Sequence, residues 1–88
     1  MTIDIVHAKN PAVGWDITTT ITAAKAEKLT HVLIQVNGSP DYDKDITPPA
    51  NSWKNTLTQK GQYPGDNKVV VTAINNKADD TVAIDEWS

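Results

Sequence analysis

The hydrophobic residues of this chain recur mostly at every second position, which is the period of β-structure. The densest stretch is Val69-Val70-Val71-Thr72-Ala73-Ile74. β-Branched residues follow one another there almost without a break, as in a strand buried on at least part of both faces. Val69, Val71 and Ala73 fall on one side of it, and Val70, Thr72 and Ile74 on the other. Both sides are apolar, so the stretch reads as the central strand of a β-sandwich. Val70 and Ile74 then lie where an antiparallel sheet normally meets water, and they need a reason. Pro64-Gly65-Asp66-Asn67 just before is a turn signal, because proline presets φ, glycine supplies positive φ and Asp/Asn side chains cap their own backbone.

The rest of the chain divides in the same way. Thr2 to Val6 is a short first strand with Ile3 and Ile5 together, broken by Lys9-Asn10-Pro11. Val13 to Ala23 follows, with Trp15, Ile17, Thr19, Ile21 and Ala23 inward and Asp16, Thr18, Thr20 and Thr22 outward. Ala24 to Leu29 has helical propensity but is too short for an independent helix, and it reads as one turn. His31 to Asn37 turns Val32, Ile34 and Val36 inward and His31, Leu33 and Gln35 outward, and Asn37-Gly38-Ser39-Pro40 ends it. Asp41 to Asn51 reads as irregular, with Pro48-Pro49 forbidding a central strand. Ser52 to Gln59 alternates again, with Trp53 and Leu57 toward the core. Thr81 to Trp87 closes the chain, with Val82 and Ile84 on one side and Ala83, Asp85 and Trp87 on the other. Strands at roughly ten-residue spacing with turns between them predict an all-β, immunoglobulin-like or fibronectin type III-like sandwich of about seven antiparallel strands in two sheets.

At 88 residues the chain fits one domain, 1–88. It has no phenylalanine, so Trp15 and Trp53 are expected to supply the large core volume. The absence of cysteine excludes disulfides, thiolate metal sites and cysteine nucleophiles. A net charge of -3 without any basic cluster argues against nucleic-acid binding. No apolar run approaches the length of a membrane helix, and Met1-Thr2-Ile3-Asp4 lacks the charged and apolar regions of a signal peptide, which leaves the compartment open.

Little in the sequence points to catalysis, and no cofactor is expected. His7 and His31 are the two histidines, neither with a carboxylate at helical spacing, and there is no Gly-x-Ser-x-Gly elbow or glycine-rich phosphate loop. Asp41-Tyr42-Asp43-Lys44-Asp45 opens like a calcium loop. Ile46 then stands where the sharp turn wants glycine and Ser52 where a bidentate glutamate belongs, so the stretch reads as a solvated acidic loop and no metal site is expected.

Surface remains. In such a sandwich the third, sixth and seventh strands share a sheet, so Leu33, Val70, Ile74 and Ala83, with Trp87 at the margin, are expected on its outer face. An apolar patch there points to a protein partner, a second copy in a weak homodimer, or an aromatic-stacking ligand. Tyr42, Tyr63 and Trp87 are the aromatics least committed to the core, and such rings stack on sugars or anchor protein contacts.

Asn10-Pro11, Asp16 with the threonine-rich strand after it, Val36-Asn37-Gly38-Ser39, Leu57 with Gln59, Lys60-Gly61, Tyr63, the run at 69 to 71 and the closing Glu86-Trp87 resemble the fungal immunomodulatory proteins. The resemblance implies a small non-enzymatic, fibronectin-like sandwich made without a signal peptide. It also implies lectin-like recognition of cell-surface glycans or glycoproteins, outside the cell. The family's amphipathic dimerisation helix has no counterpart before Asn10. The Gly65-Asp66-Asn67 turn ahead of the valine-rich strand is also similar to immunoglobulin-like structural or adhesion modules of larger bacterial or phage surface proteins. Asn10-Pro11-Ala12-Val13-Gly14-Trp15 resembles the inhibitory loop of chagasin-like cysteine-protease inhibitors. The expected function is thus binding, with glycan or glycoprotein recognition first and the structural module and the inhibitor as alternatives.

Overall fold

A computed structural model describes residues 1–12, 14–60 and 66–88. Two sheets face each other. One holds strands β1 (Thr2–Asn10), β2 (Gly14–Thr22) and β5 (Ser52–Lys60), in the order β1-β2-β5. The other holds β3 (Leu29–Val36), β4 (Ser39–Ala50), β6 (Asn67–Asn75) and β7 (Asp80–Trp87), in the order β4-β3-β6-β7. Every pairing is antiparallel. Among the described residues there is no helix, and the chain from Ala24 to Glu27 is a turn closed by the Glu27 amide on the Ala24 carbonyl at 3.0 Å. The expected Pro64-Gly65 turn lies outside the described residues.

The core forms where the inward halves of the alternating strands meet. Ile17 and Ile21 of β2 pack with Leu29, Val32, Ile34 and Val36 of β3 and with Val69, Val71 and Ala73 of β6, none more than 4% exposed. β6 is therefore the central strand its composition predicts, between β3 and β7. Among the described residues the buried core is aliphatic apart from Thr19 and contains no aromatic ring. Trp15 and Trp53 stay half-buried, and Trp53 packs at the core margin with Ile3, Ile5 and Leu57.

The acidic stretch after Asn37 departs from its reading as an irregular loop. Asn37 and Gly38 both take positive φ, 50° and 84°, the geometry of a two-residue type I′ turn whose twist matches the flanking strands. Val36 then pairs with Ser39, and the chain returns along β3 as β4. The fourth strand thus stays beside the third, where the constant-type immunoglobulin arrangement puts it in the opposite sheet. Its prolines are tolerated because β4 is an edge, where a missing amide breaks no inner ladder. Asn51 marks the crossing to the other sheet. Its carboxamide nitrogen donates to the carbonyls of Ala24 at 3.1 Å and Glu27 at 2.7 Å, and its own carbonyl accepts from the Ala23 amide at 2.7 Å.

The outer surfaces of the two sheets differ in character. On β1-β2-β5 the outward residues include Asp4, Thr18, Thr20, Thr22, Lys54, Thr56 and Thr58, a mostly solvated face on which Val6 is 52% exposed and the Thr18 and Thr56 hydroxyls meet at 3.1 Å. The other sheet is different.

Candidate binding surface

The ladder of the β4-β3-β6-β7 sheet builds its outer face row by row. Gln35, Val70 and Ile84 stand abreast, then Leu33, Thr72 and Val82, then His31, Ile74 and Asp80. Direct cross-strand neighbours have Cβ atoms about 4.5–5.5 Å apart, so Leu33, Val70, Ile74, Val82 and Ile84 form one field with Thr72 at its middle. Leu33, Val70 and Ile74 are half-buried by their neighbours, whereas Val82 and Ile84 remain 56% and 54% exposed. Nothing in the described chain covers them.

The expected trio of Leu33, Val70 and Ile74 is brought together, but the seventh strand sits in the opposite phase from the one expected. Ala83 and Trp87 face inward, and the outward positions belong to Val82 and Ile84, which sequence reasoning passed over. The physical reason lies at the seam between β1 and β7. The His7 ring stacks on Trp87 at 4.0 Å and 10°, Trp15 meets Trp87 edge-on at 5.4 Å, and His7 Nδ1 pairs with the Asp85 carboxylate at 2.6 Å. These contacts hold the Asp85/Trp87 phase inside. The alternation itself was the available signal, since Val82 and Ile84 are the two large aliphatics of β7.

Of the other expected aromatic contacts, Tyr42 is turned toward the core. Tyr42 packs against the core and lies 5.3 Å from Trp53, with the Lys44 ammonium 5.5 Å from its ring centre. Tyr63 lies outside the described residues. In the segment expected to be an inhibitory loop, Asn10 pairs with Gly14 and Trp15 with Lys9 across the β1-β2 hairpin, Pro11 and Ala12 form a turn in which Asn10 Oδ1 accepts the Ala12 amide at 3.1 Å, and Val13 lies outside the described residues.

Charge frames the apolar field. On the β4 side Asp43 pairs with Leu33 and Asp45 with His31, and the His31 ring lies between the two carboxylates, at 2.5 Å from Asp43 and 2.7 Å from Asp45. Asp45 first, then Asp43, raise the His31 pKa above its ordinary value. On the β7 side Asp80 and Glu86 stand at the two ends, with Lys68 opposite Glu86. The alternate aspartates of the calcium-like stretch thus lie on an extended strand, and two of them are taken by His31. Among the described residues no group of three acidic, histidine or cysteine side chains is placed to hold a metal.

At one end of the sandwich, a depression of about 340 Å³ is lined by Glu27, Asn75 and Asp79 with Ala24, Ala26 and Lys77. Its polar groups satisfy one another. Asn75 Nδ2 donates to Glu27 at 2.8 Å, and Asn75 Oδ1 accepts the amides of Lys77 and Asp79, both at 2.9 Å. Asn75 foremost, then the Ala24 amide, holds the Glu27 carboxyl below its ordinary pKa. The arrangement caps the turn after β6.

No family model matches the chain, and comparison with curated proteins and with solved structures finds no match. Fold and surface together define a small β-sandwich with one polar and one apolar outer sheet face.

Proposed function

We propose that the chain is a non-enzymatic binding domain that recognises a protein partner through the outer face of the β4-β3-β6-β7 sheet, in the manner of a structural or adhesion module. The observation that carries this is the exposure of Val82 and Ile84, 56% and 54%, at the margin of a field that continues through Val70, Leu33 and Ile74. Contiguous apolar surface rimmed by charge is the usual anatomy of a docking site. A cell-surface glycoprotein is included where its protein surface makes the contact. Sugar stacking is less well served, because Tyr42 and Trp87 pack inward and the outer face carries no tyrosine or tryptophan among the described residues. Both histidines are engaged by aspartates, and among the described residues no hydroxyl joins either pair, which supports a role without chemistry of its own.

The test is a display selection of peptides and small domains on the folded chain, with counter-selection on the Val82→Lys/Ile84→Lys double variant, beside a glycan array. Selected binders are expected to hold the wild-type chain and to lose the double variant. Binders indifferent to the two substitutions would overturn the proposal. So would saturable glycan binding abolished by Trp87→Ala.

A further inference from the structure

We infer that the partner is seated by strand addition: an extended segment of another protein, with apolar residues at alternate central positions and a lysine or arginine at each end in the same phase, pairs with the free edge of β7 and widens the sheet to five strands. This rests on the reading of the outer face as a protein-docking surface, and it says where the partner enters that face. Four edges are open to comparison, β1 and β5 in one sheet and β4 and β7 in the other.

Edge strands carry unpaired amides and carbonyls, and most are blunted against new pairing by proline, charged residues or bulges. β4 has Pro40, Pro48 and Pro49 and two register shifts against β3. β5 carries Lys54 and Lys60 and a threonine-rich outer side. β1 offers one large exposed aliphatic, Val6, between Asp4 and Ala8. β7 lacks the proline, lysine and bulges of the other edges, and its charges, Asp80, Asp85 and Glu86, are all acidic, so they repel another acidic edge and not a basic strand. Asp80 to Trp87 contains no proline, lysine or arginine, and its ladder with β6 runs unbroken from Ile74↔Asp80 to Asn67↔Trp87. Among the described residues no strand pairs with its other side. It is also anchored beforehand, because Asp85 and Trp87 are held on the inner side by His7. In strand addition the main chain supplies affinity and alternate side chains supply specificity. An added strand would set its outward apolar residues directly beside Val82 and Ile84, extending the field that these two leave open.

Charge decides between a foreign strand and a second copy. β7 carries Asp80, Asp85 and Glu86, with Asp79 just before it and no base among them. Antiparallel pairing of two β7 strands that keeps both sheet faces must join residues of the same parity. The register that sets Val82 opposite Ile84 is centred on Ala83 and places Asp80 across from Glu86 at both ends. Like charges directly opposite are destabilising. The other registers centred on the apolar pair oppose Ile84 to Asp80 or Val82 to Glu86. A lysine- or arginine-bearing strand meets none of these conflicts and answers the acidic ends.

The probe is a capped nonapeptide with valine at positions 4 and 6, lysine at positions 2 and 8 in the same phase, and threonine elsewhere, followed by fluorescence anisotropy and by amide hydrogen exchange of the full chain. Saturable binding with added protection of β7 amides is expected. The affinity should fall by about tenfold or more in Val82→Lys/Ile84→Lys, and similarly when glutamate replaces lysine in the peptide. N-methylation of alternate peptide residues in one phase should abolish binding, and in the other phase leave it nearly intact. Binding that responds to Val82 and Ile84 but not to N-methyl phase would overturn strand addition while leaving the docking face standing. No binding, or binding indifferent to both, would overturn the inference. The display selection judges the docking face independently, so the two failures are separable.

Discussion

Replacing Thr19 by valine should make this protein more stable. Thr19 lies on the inner face of β2 between Ile17 and Ile21, is 0% exposed, and its hydroxyl has no hydrogen-bond partner among the described residues. Its cross-strand neighbours are Ile5 on one side and Asn55 on the other. Asn55 Nδ2 is itself buried without a partner among the described residues, so the two polar groups sit side by side unjoined. A buried hydroxyl that has left water and gained nothing costs about 1–3 kcal/mol. Valine has the same shape, restores apolar contact at that point and suits a strand at least as well. A gain of about 1.5 kcal/mol is expected. For a domain of this size that corresponds to a rise of roughly 6–12 °C in Tm. In urea, with a slope of about 1 kcal/mol/M, the midpoint moves up by about 1.5 M. Tryptophan fluorescence follows the transition, since Trp53 lies two residues from Asn55 on the same face. Thr19→Ser is the control. It keeps the hydroxyl and loses the methyl, and it should cost about 1 kcal/mol. A lower Tm in Thr19→Val, with an unchanged slope, would mean that Thr19 and Asn55 share a hydrogen bond in solution, and the reasoning from an unpaired hydroxyl would be wrong.

Stability should depend on pH through His31, whose pKa is raised by Asp45 and Asp43. The contribution is full below the ordinary histidine value near 6.5 and is lost as pH rises through the raised folded value. The Tm advantage of wild type over His31→Gln should therefore be larger at about pH 6 than at about pH 8.5, and it should shrink in high salt because Asp43 and Asp45 are 58% and 83% exposed. Asn51→Ala removes the side chain that bonds the Ala24, Lys25 and Glu27 carbonyls, and should cost about 1–3 kcal/mol by chemical denaturation. Gly38→Ala meets no atom within 4 Å but must hold a φ of 84°, so a loss of about 1 kcal/mol is expected from backbone conformation alone, with the β3-β4 hairpin retained in the amide exchange pattern.

Where one phase of a strand is apolar and the other polar, the sequence alone is enough to place it. β2 and β3 show this, since Ile17, Ile21, Val32 and Ile34 have no apolar rivals of equal weight in the opposite phase of β2 and only Leu33 in that of β3. β4 was missed for a different reason. Its aspartates and prolines mark an edge strand as plainly as they mark a loop, and the distinction is made by the Asn37-Gly38 turn, which folds the chain back on β3. β7 was the hardest case. Val82 and Ile84 compete with Ala83 and Trp87, and local pattern cannot rank one large aromatic against two aliphatics. The contest is settled across the sandwich by His7, which offers Trp87 a ring to stack on and Asp85 a hydrogen bond from a strand 78 positions away in the sequence. That choice has a consequence for the surface. Drawing Trp87 and Asp85 inward obliges Val82 and Ile84 to face out, beside Val70 and Thr72. The seam that secures the last strand therefore also creates the exposed margin through which a partner strand would enter.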